Sequence, residues 1–214
     1  YGRHYLGQAT GYNELRPSTV FRLGNHFRLT GQLNYGNNRD ALQYVASIQA
    51  ANNTPQKMTY MLGRMKQQTY GITLNVQYNL TPDFAFQYYG SPFTSIATFD
   101  DFKIATNTGA KIYKDRFLPV SAQQLTLQGD QYKVNYENQA LSFKNPNFSF
   151  NELRSILVAR WEYLPGSTMY VVWEHNRSNR SGNYYAGWVD NLDRMFSLHA
   201  ANTVMLKVNY WFTL

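Results

Sequence analysis

Eight charged side chains have a spacing that fits the polar side of β-strands. They occupy alternate positions in segments whose intervening residues are mostly apolar, so a strand would direct them to one face. Such a face would either line a channel and favour anions, or pair its own charges and plug the passage; the sequence leaves both open. The eight residues are Arg22, Arg28, Glu152, Arg154, Arg160, Glu162, Glu174 and Lys207.

Other patterns that carry chemistry are missing from the sequence or have simpler explanations. The chain has no Cys and four His, and the His residues lack the short spacing of metal ligands. It has no nucleophile elbow and no phosphate-cradling glycine loop. Asp190, Asn191 and Asp193 offer oxygen ligands for calcium, but a helix N-cap explains Asp190 or Asn191 more simply. We therefore expect no enzyme activity, no cofactor and no metal site.

The composition is polar, uncharged and aromatic. Of the 214 residues, 15% are charged and 16% are aromatic, whereas ordinary soluble domains have about 25% charged residues. The net charge of +7 is spread in ones and twos without a nucleic-acid-binding motif, so we expect no nucleic-acid partner. No uncharged apolar run approaches the roughly 18 residues of a membrane-spanning helix.

Strict alternation of apolar and polar residues is the clearest pattern in the chain. In residues 69–80 every even position is apolar and every odd one is Thr, Gly, Asn or Gln, and residues 204–214 are apolar at every even position. This period of two predicts β-strands with one apolar face. Its candidate members are Tyr70, Ile72, Leu74, Val76, Tyr78, Leu80, Leu206, Val208, Tyr210 and Phe212.

The alternating segments predict about seven strands. They lie within residues 1–12 and at 19–48, 57–80, 84–96, 151–163, 168–176 and 203–213. We favour one strand at 57–80 over a break at Gln67–Gln68, and we predict a short helix at 190–199. A change of apolar positions from odd to even predicts a β-bulge within 36–40. Along the chain, short proline turns at 16–18, 81–83 and 164–167 alternate with long polar connections at 98–151 and 177–202.

These strands fit either a soluble β-sandwich or a transmembrane β-barrel. Three features favour the barrel: a polar face of Thr, Asn, Gln, Gly and Arg, the asymmetric connections, and the strand length. Twelve residues at about 3.4 Å each, tilted by about 45°, span about 28 Å, close to the apolar band of about 25 Å in outer-membrane barrels. We predict an all-β, antiparallel transmembrane β-barrel with short periplasmic turns and long extracellular loops. Its apolar candidates face lipid and its eight charged residues face the lumen.

The odd number of strands bears on the domain organisation. Bacterial single-chain barrels have even numbers of strands, so we expect residues 1–214 to be one barrel segment. It would be the C-terminal portion of a larger barrel whose earlier strands are missing from this chain.

Several longer strings resemble a known family. They are FNELRSILVARWEYLPGSTMYVVWEHNRS, NRDALQYV, NLTPDFAFQYYGSPF and NLDRMFSLHAANTVMLKVNYWF. They are similar to the C-terminal barrel region of a Bacteroidota outer-membrane protein family of unknown function, over residues from about 15 to 212. The resemblance implies an upstream module like the family 9 carbohydrate-binding domains, and it supplies no catalytic residues.

We therefore expect a porin-like protein of the Gram-negative outer membrane, an accessory or transport component in surface glycan handling. Its expected partners are outer-membrane lipid and lipopolysaccharide, a glycan ligand, and proteins of an envelope complex. Arg64 and Lys66, just above the apolar stretch, would either meet lipopolysaccharide phosphates or form a solvated rim. Two alternatives remain: a structural subunit of a secretion or barrel-assembly complex, and an outer-membrane lipid or glycan hydrolase.

Overall fold

Antiparallel β-strands make up most of the molecule. The computed structural model describes residues 2–6, 10–49, 58–136, 139–182 and 187–212. Its strands are β1 (Gly2–Leu6), β2 (Thr10–Leu15), β3 (Ser18–Leu23), β4 (Phe27–Gln49), β5 (Met58–Asn79), β6 (Phe84–Ala105), β7 (Phe117–Pro119), β8 (Leu125–Gln128), β9 (Gln131–Tyr136), β10 (Gln139–Lys144), β11 (Phe148–Leu164), β12 (Ser167–Ser181) and β13 (Ala201–Asn209). The α-helix α1 spans Trp188–Ser197, and 3₁₀ turns lie at Tyr113–Arg116 and Ala122–Gln124. The predicted all-β, antiparallel class is confirmed.

The main sheet is a meander. Its strands follow the order β1-β2-β4-β5-β6-β11-β12-β13, with β3 beside β4 and β7 beside β6, while β8, β9 and β10 form a second sheet. Within the described residues β1 and β13 are edges that do not pair with each other, so the main sheet is open. None of the helices in the described ranges is long and apolar enough to cross a bilayer.

The predicted turn at 16–18 is wrong. Leu15 pairs with Tyr35 and Ser18 pairs with Gln32, so β2 and β3 run in one direction along β4. Proline lacks an N–H and interrupts the ladder, but the Pro17 carbonyl accepts a hydrogen bond from the Leu33 N–H at 3.0 Å. The chain reverses at 24–26 instead, where Gly24 has a φ of 58°.

This correction changes the strand count. The predicted strand 19–48 is two strands, β3 and β4, joined by the 24–26 turn. With β2 and β3 counted as one interrupted strand, eight strands succeed one another across the main sheet rather than seven. The odd number that suggested missing strands is therefore not found among the described residues.

The predicted bulge within 36–40 is also wrong. The β4–β5 register is regular from Phe27 to Asp40, and its irregularities lie between Asp40 and Gln43 and between Tyr44 and Ala46. After them Ala46 and Ile48 pair with Met61 and Thr59, on the face opposite to the apolar residues of 27–35. The apolar positions switch because the second sheet covers the other face there.

The packed core lies at the far ends of β4, β5 and β6. Ile48, Met61 and Ile104 pack against residues of the second sheet, and β5 continues unbroken through Gln67–Gln68 as favoured. The core members are Ile48, Met61, Phe102, Ile104, Val134, Leu141 and Phe143. The predicted long connection 98–151 thus contains strand extensions and a folded sheet, because these apolar side chains bury one another.

Two further boundaries differ from the predictions. Strand β12 continues to Ser181 rather than ending at 176, and α1 begins at Trp188, two residues before the predicted helix. In the last predicted strand, 203–213, Thr213 lies outside the described residues. The described connections between main-sheet strands are short at 24–26, 80–83 and 165–166 and long at 106–147 and 182–200.

Candidate functional site

The eight charged candidates share one face of the main sheet, here called the polar face. Opposed residues of antiparallel strands lie on the same side. Arg22 opposes Arg28, and Arg160 opposes Tyr170, which in turn opposes Lys207. Glu174 opposes Ile156, two residues from Arg154. That this face encloses a lumen stays a prediction.

Two ion pairs neutralise part of the polar face. Arg154 donates to Glu152 at 3.0 Å, and Arg160 donates to Glu162 at 3.0 Å. Each pair joins neighbouring positions on one side of β11, so it does not bridge distant strands. The remaining candidates, Arg22, Arg28, Glu174 and Lys207, have no ion pair within the described residues. The unpaired charge on this face is therefore mostly positive.

Arg22 and Arg28 concentrate this positive charge near the short connections. They are directly opposed on β3 and β4, and like charges in that position repel each other. Both side chains are exposed, so water screens the repulsion. A cavity of about 260 Å³ lies beside this pair, and it is lined by Arg28, Thr30, Asn75 and Gln77. Guanidinium, hydroxyl and amide groups together suit an anion or a hydroxyl-rich ligand.

A second polar cavity lies nearer the long connections. Its volume is about 670 Å³ and it has both charge signs, from Glu152, Glu174 and Arg154. Tyr89 adds an aromatic ring and Asn176 an amide to its wall. The mixture of ring, amide and charges provides several hydrogen-bonding groups.

The opposite side, here called the apolar face, is largely uncovered. Leu74 is 38% exposed, Leu80 52% and Leu206 66%. Among the other apolar candidates, Tyr78, Val208, Tyr210 and Phe212 are exposed, whereas Tyr70, Ile72 and Val76 are half-buried. The second sheet packs on the other side, and α1 lies over part of the apolar face. An exposed apolar surface of this extent is typical of a protein or membrane interface.

Helix α1 is attached to the apolar face by buried amides. The Asn151 amide N–H₂ donates to Asn191 Oδ1 at 3.1 Å, and Asn151 Oδ1 accepts from the Thr94 hydroxyl at 2.9 Å. Asn191 also donates to the Gly187 carbonyl at 2.6 Å. Asn191 is fully buried and Asn151 is 2% exposed. Buried amides must be paired in this way, because an unmatched one costs free energy.

The predicted N-cap role of Asp190 or Asn191 is wrong. Gly187 occupies the N-cap position, and no side-chain cap bond forms. Asn191 instead faces the sheet, where its amide bonds Asn151. The other end of the helix is held by Arg177, whose guanidinium donates to the Phe196 carbonyl. Among the described residues there is no group of three or more potential metal-ligating side chains.

An apolar cleft lies between α1 and the sheet. Its volume is about 240 Å³, and Trp188 and Leu192 of the helix form one wall. The Trp188 ring stacks on Tyr70, with centroids 6.3 Å apart. The sheet wall comprises Leu15, Pro17, Leu33, Asn34, Tyr35, Tyr70, Gly71, Ile72, Pro92 and Thr94.

A basic rim borders this cleft on the apolar face, nearer the long connections. Lys66 opposes Arg39 and donates to Asp100 at 2.7 Å, and Arg64 donates to Asp100 at 2.5 Å. Burial alone would raise the pKa of Asp100, but the hydrogen bonds and charges of Arg64 and Lys66 outweigh it and hold that pKa below its ordinary value. Exposed Arg39 has no ion pair in the described part of the chain.

Sequence reasoning did not find Asn151 or Arg39 as site residues, and it considered Asn191 only as a calcium ligand or N-cap, not as a contact with the sheet. Asn151 and Asn191 are 40 positions apart, and only the packing of α1 on β11 joins them. Arg39 occupies an odd position in continuous register with Leu33 and Tyr35. The sequence carried no clear signal for its face, because the alternation ends at Tyr35 and Gly36, Asn37 and Asn38 follow.

A family model described as a domain of unknown function, DUF5916, matches residues 3–213. The match spans nearly the whole meander and both polar cavities. No curated protein and no solved structure is significantly similar to the chain.

Proposed function

Because this chain belongs to the DUF5916 family, whose description names no activity, we propose from its geometry that it forms part of an outer-membrane β-barrel. The observation that carries the proposal is the uncovered apolar face opposite a polar, charged face. In hydrocarbon every backbone polar group needs a partner within the protein, and a meander supplies these partners if its edges close with each other or with further strands. The apolar face would then contact lipid.

The orientation follows from the connections. Outer-membrane barrels have short periplasmic turns and longer extracellular loops. The turns at 24–26, 80–83 and 165–166 would then be periplasmic, and the second sheet and α1 would lie at the outer side. The second sheet packs on the polar side of the strand ends, where it would narrow the outer mouth of a barrel.

We propose that the barrel is an accessory or transport component in surface glycan handling. The polar face carries hydroxyls, amides and Tyr89 beside charged groups, which suits hydroxyl-rich ligands. A Bacteroidota origin and an upstream carbohydrate-binding module are parts of this proposal that rest on the resemblance of sequence. The unpaired Arg22, Arg28 and Lys207 favour anions over cations in any open passage.

Conductance tests the transport function. Full-length protein in planar bilayers should give anion-favouring channels, and Arg22→Glu with Arg28→Glu should shift the reversal potential toward cation preference. Lys111→Gln with Lys114→Gln, at exposed sites in the 106–147 connection, is the control and should leave selectivity unchanged. A membrane-inserted protein that passes no current would instead favour the structural-subunit function, and stoichiometric companions in mild detergent would support that alternative.

A further inference from the structure

The cleft under α1 and the basic rim lie on one continuous strip of the apolar face. On β5, Ile72 and Tyr70 line the cleft, Gln68 follows, and Lys66 belongs to the rim. These alternate residues share a face. From Tyr70 to Lys66 the strand rises about 14 Å. The strip therefore changes from apolar to basic within a short distance.

The helix gives the cleft a second apolar wall and an exposed apolar side. Met195 is fully buried against the sheet, whereas Val189 is 60% and Phe196 56% exposed. Together with Trp188 and Leu192 they form one stripe at helical spacing. The charged residues Asp190 and Arg194 of this helix are exposed and fall on the side opposite to the stripe by the same spacing, and exposed Asp193 borders the stripe. Amphipathic helices with this arrangement lie at membrane interfaces, where Trp is enriched.

The rim carries uncompensated positive charge. Arg39, Arg64, Lys66 and Lys103 contribute four positive charges, and Asp100 and Asp101 contribute two negative ones, which leaves +2. Arg39 and Lys66 are opposed in register, and Lys66 shares the Asp100 carboxylate with Arg64, so this pair keeps a net positive charge and a repulsion that water screens. An anion placed between them would relieve this repulsion and accept charge-assisted hydrogen bonds from both.

We propose that this strip is a binding site for one phosphate-bearing acyl glycolipid of the outer leaflet. An acyl chain occupies the cleft beneath Trp188 and Leu192, and a phosphate is held by Arg39 and Lys66. The inference rests on the proposed membrane location and deepens it. Charge complementarity selects this occupant: an uncharged lipid would fill the cleft and leave the net positive charge of the rim without a counter-charge, and an acidic protein segment would not need the apolar cleft.

Binding of phosphorylated lipid A to the full-length protein in detergent tests the proposal. Native mass spectrometry or a fluorescence titration should show one saturable site, with phosphatidylcholine and inorganic phosphate binding weakly. Arg39→Gln with Lys66→Gln should weaken lipid A binding about tenfold or more, since two charge-assisted hydrogen bonds are lost. Leu192→Asp, which puts a charge in the cleft wall, should weaken it as well.

Lys111→Gln with Lys114→Gln removes the same charge elsewhere and should leave the affinity unchanged. Equal loss of affinity in this control, or retained affinity after Arg39→Gln with Lys66→Gln, would overturn the proposal. Stronger binding of phosphatidylcholine than of lipid A would also overturn it. If the protein inserts into bilayers but shows no saturable lipid A binding, only the proposed glycolipid site is contradicted. If the protein stays in solution without detergent, the proposed membrane location itself is contradicted.

Discussion

Replacement of Asn191 by Ala should loosen α1 from the sheet without unfolding the sheet. The change removes the hydrogen bonds to Asn151 and to the Gly187 carbonyl, at 3.1 and 2.6 Å. It leaves the Asn151 amide, 2% exposed, without its acceptor. An unpaired buried group of this kind costs about 1–3 kcal/mol, which corresponds to about 5- to 150-fold in an opening equilibrium.

Hydrogen exchange measures that opening directly. In the full-length protein in detergent, amides of 188–197 should exchange about 5- to 150-fold faster in Asn191→Ala, while those of β4 and β5 keep their rates. Asp193→Ala, at an exposed position of the same helix, should change the local free energy by no more than about 0.5 kcal/mol.

A double-mutant cycle then isolates the pair. If Asn151 and Asn191 stabilise each other, Asn151→Ala combined with Asn191→Ala should cost less than the sum of the single changes. Unchanged exchange in 188–197 after Asn191→Ala would refute the buried-amide anchor. An equal acceleration throughout the main sheet would also refute it, because the helix would then not open on its own.

Three further changes test other parts of the fold. Gly24→Ala should destabilise the β3–β4 turn by about 1 kcal/mol, because φ is positive there; no clash adds to this cost, since the added Cβ meets no other atom. Faster hydrogen exchange confined to β3 and the start of β4 would show this destabilisation, and an unchanged exchange rate would contradict it. Met61→Ala, at a side chain with no exposure, should lower the stability of the core between the main sheet and the second sheet by about 2–5 kcal/mol. Hydrogen exchange in β9 and β10 that matches the unsubstituted protein would contradict this. The pKa of Asp100 is lowered in the folded protein, so its ion pairs stabilise the fold above the carboxyl's ordinary pKa of about 3.9, and this stabilisation is lost as the pH falls through the lower folded pKa. The stabilisation should stay below about 1 kcal/mol, because the side chain is substantially exposed. Asp100→Asn should abolish the corresponding acid-dependent change in hydrogen exchange at the ends of β5 and β6 next to the second sheet.

Local alternation was enough to predict much of the sheet. The pattern from Tyr70 to Leu80 depends only on neighbouring residues, and the main sheet contains a single strand there, with the apolar residues on one side. The prediction failed at Pro17, because proline interrupts a ladder without dictating the direction of the chain. The actual turn depends on the left-handed conformation of Gly24, which many glycines do not adopt.

Contacts between distant segments could not be predicted in this way. The change of face at Ala46 and Ile48 has its cause in Val134 and Leu141, about 90 positions away along the chain, through the shared core. Likewise the burial of Asn191 depends on Asn151 of another strand. A single sequence reveals the apolar positions, but it does not reveal which second layer covers them.

Accessibility of alternate residues on β5 tests the central claim most directly. The chain has no Cys, so single cysteines carrying nitroxide labels can be placed at Leu74, Val76 and Tyr78, outside the cleft under α1, and at the neighbouring Asn75 and Gln77 of the full-length protein in proteoliposomes. A membrane location predicts high oxygen accessibility at the first three positions and lower accessibility at the other two. Low oxygen accessibility at all five, with protein that remains in solution without lipid or detergent, would contradict the account.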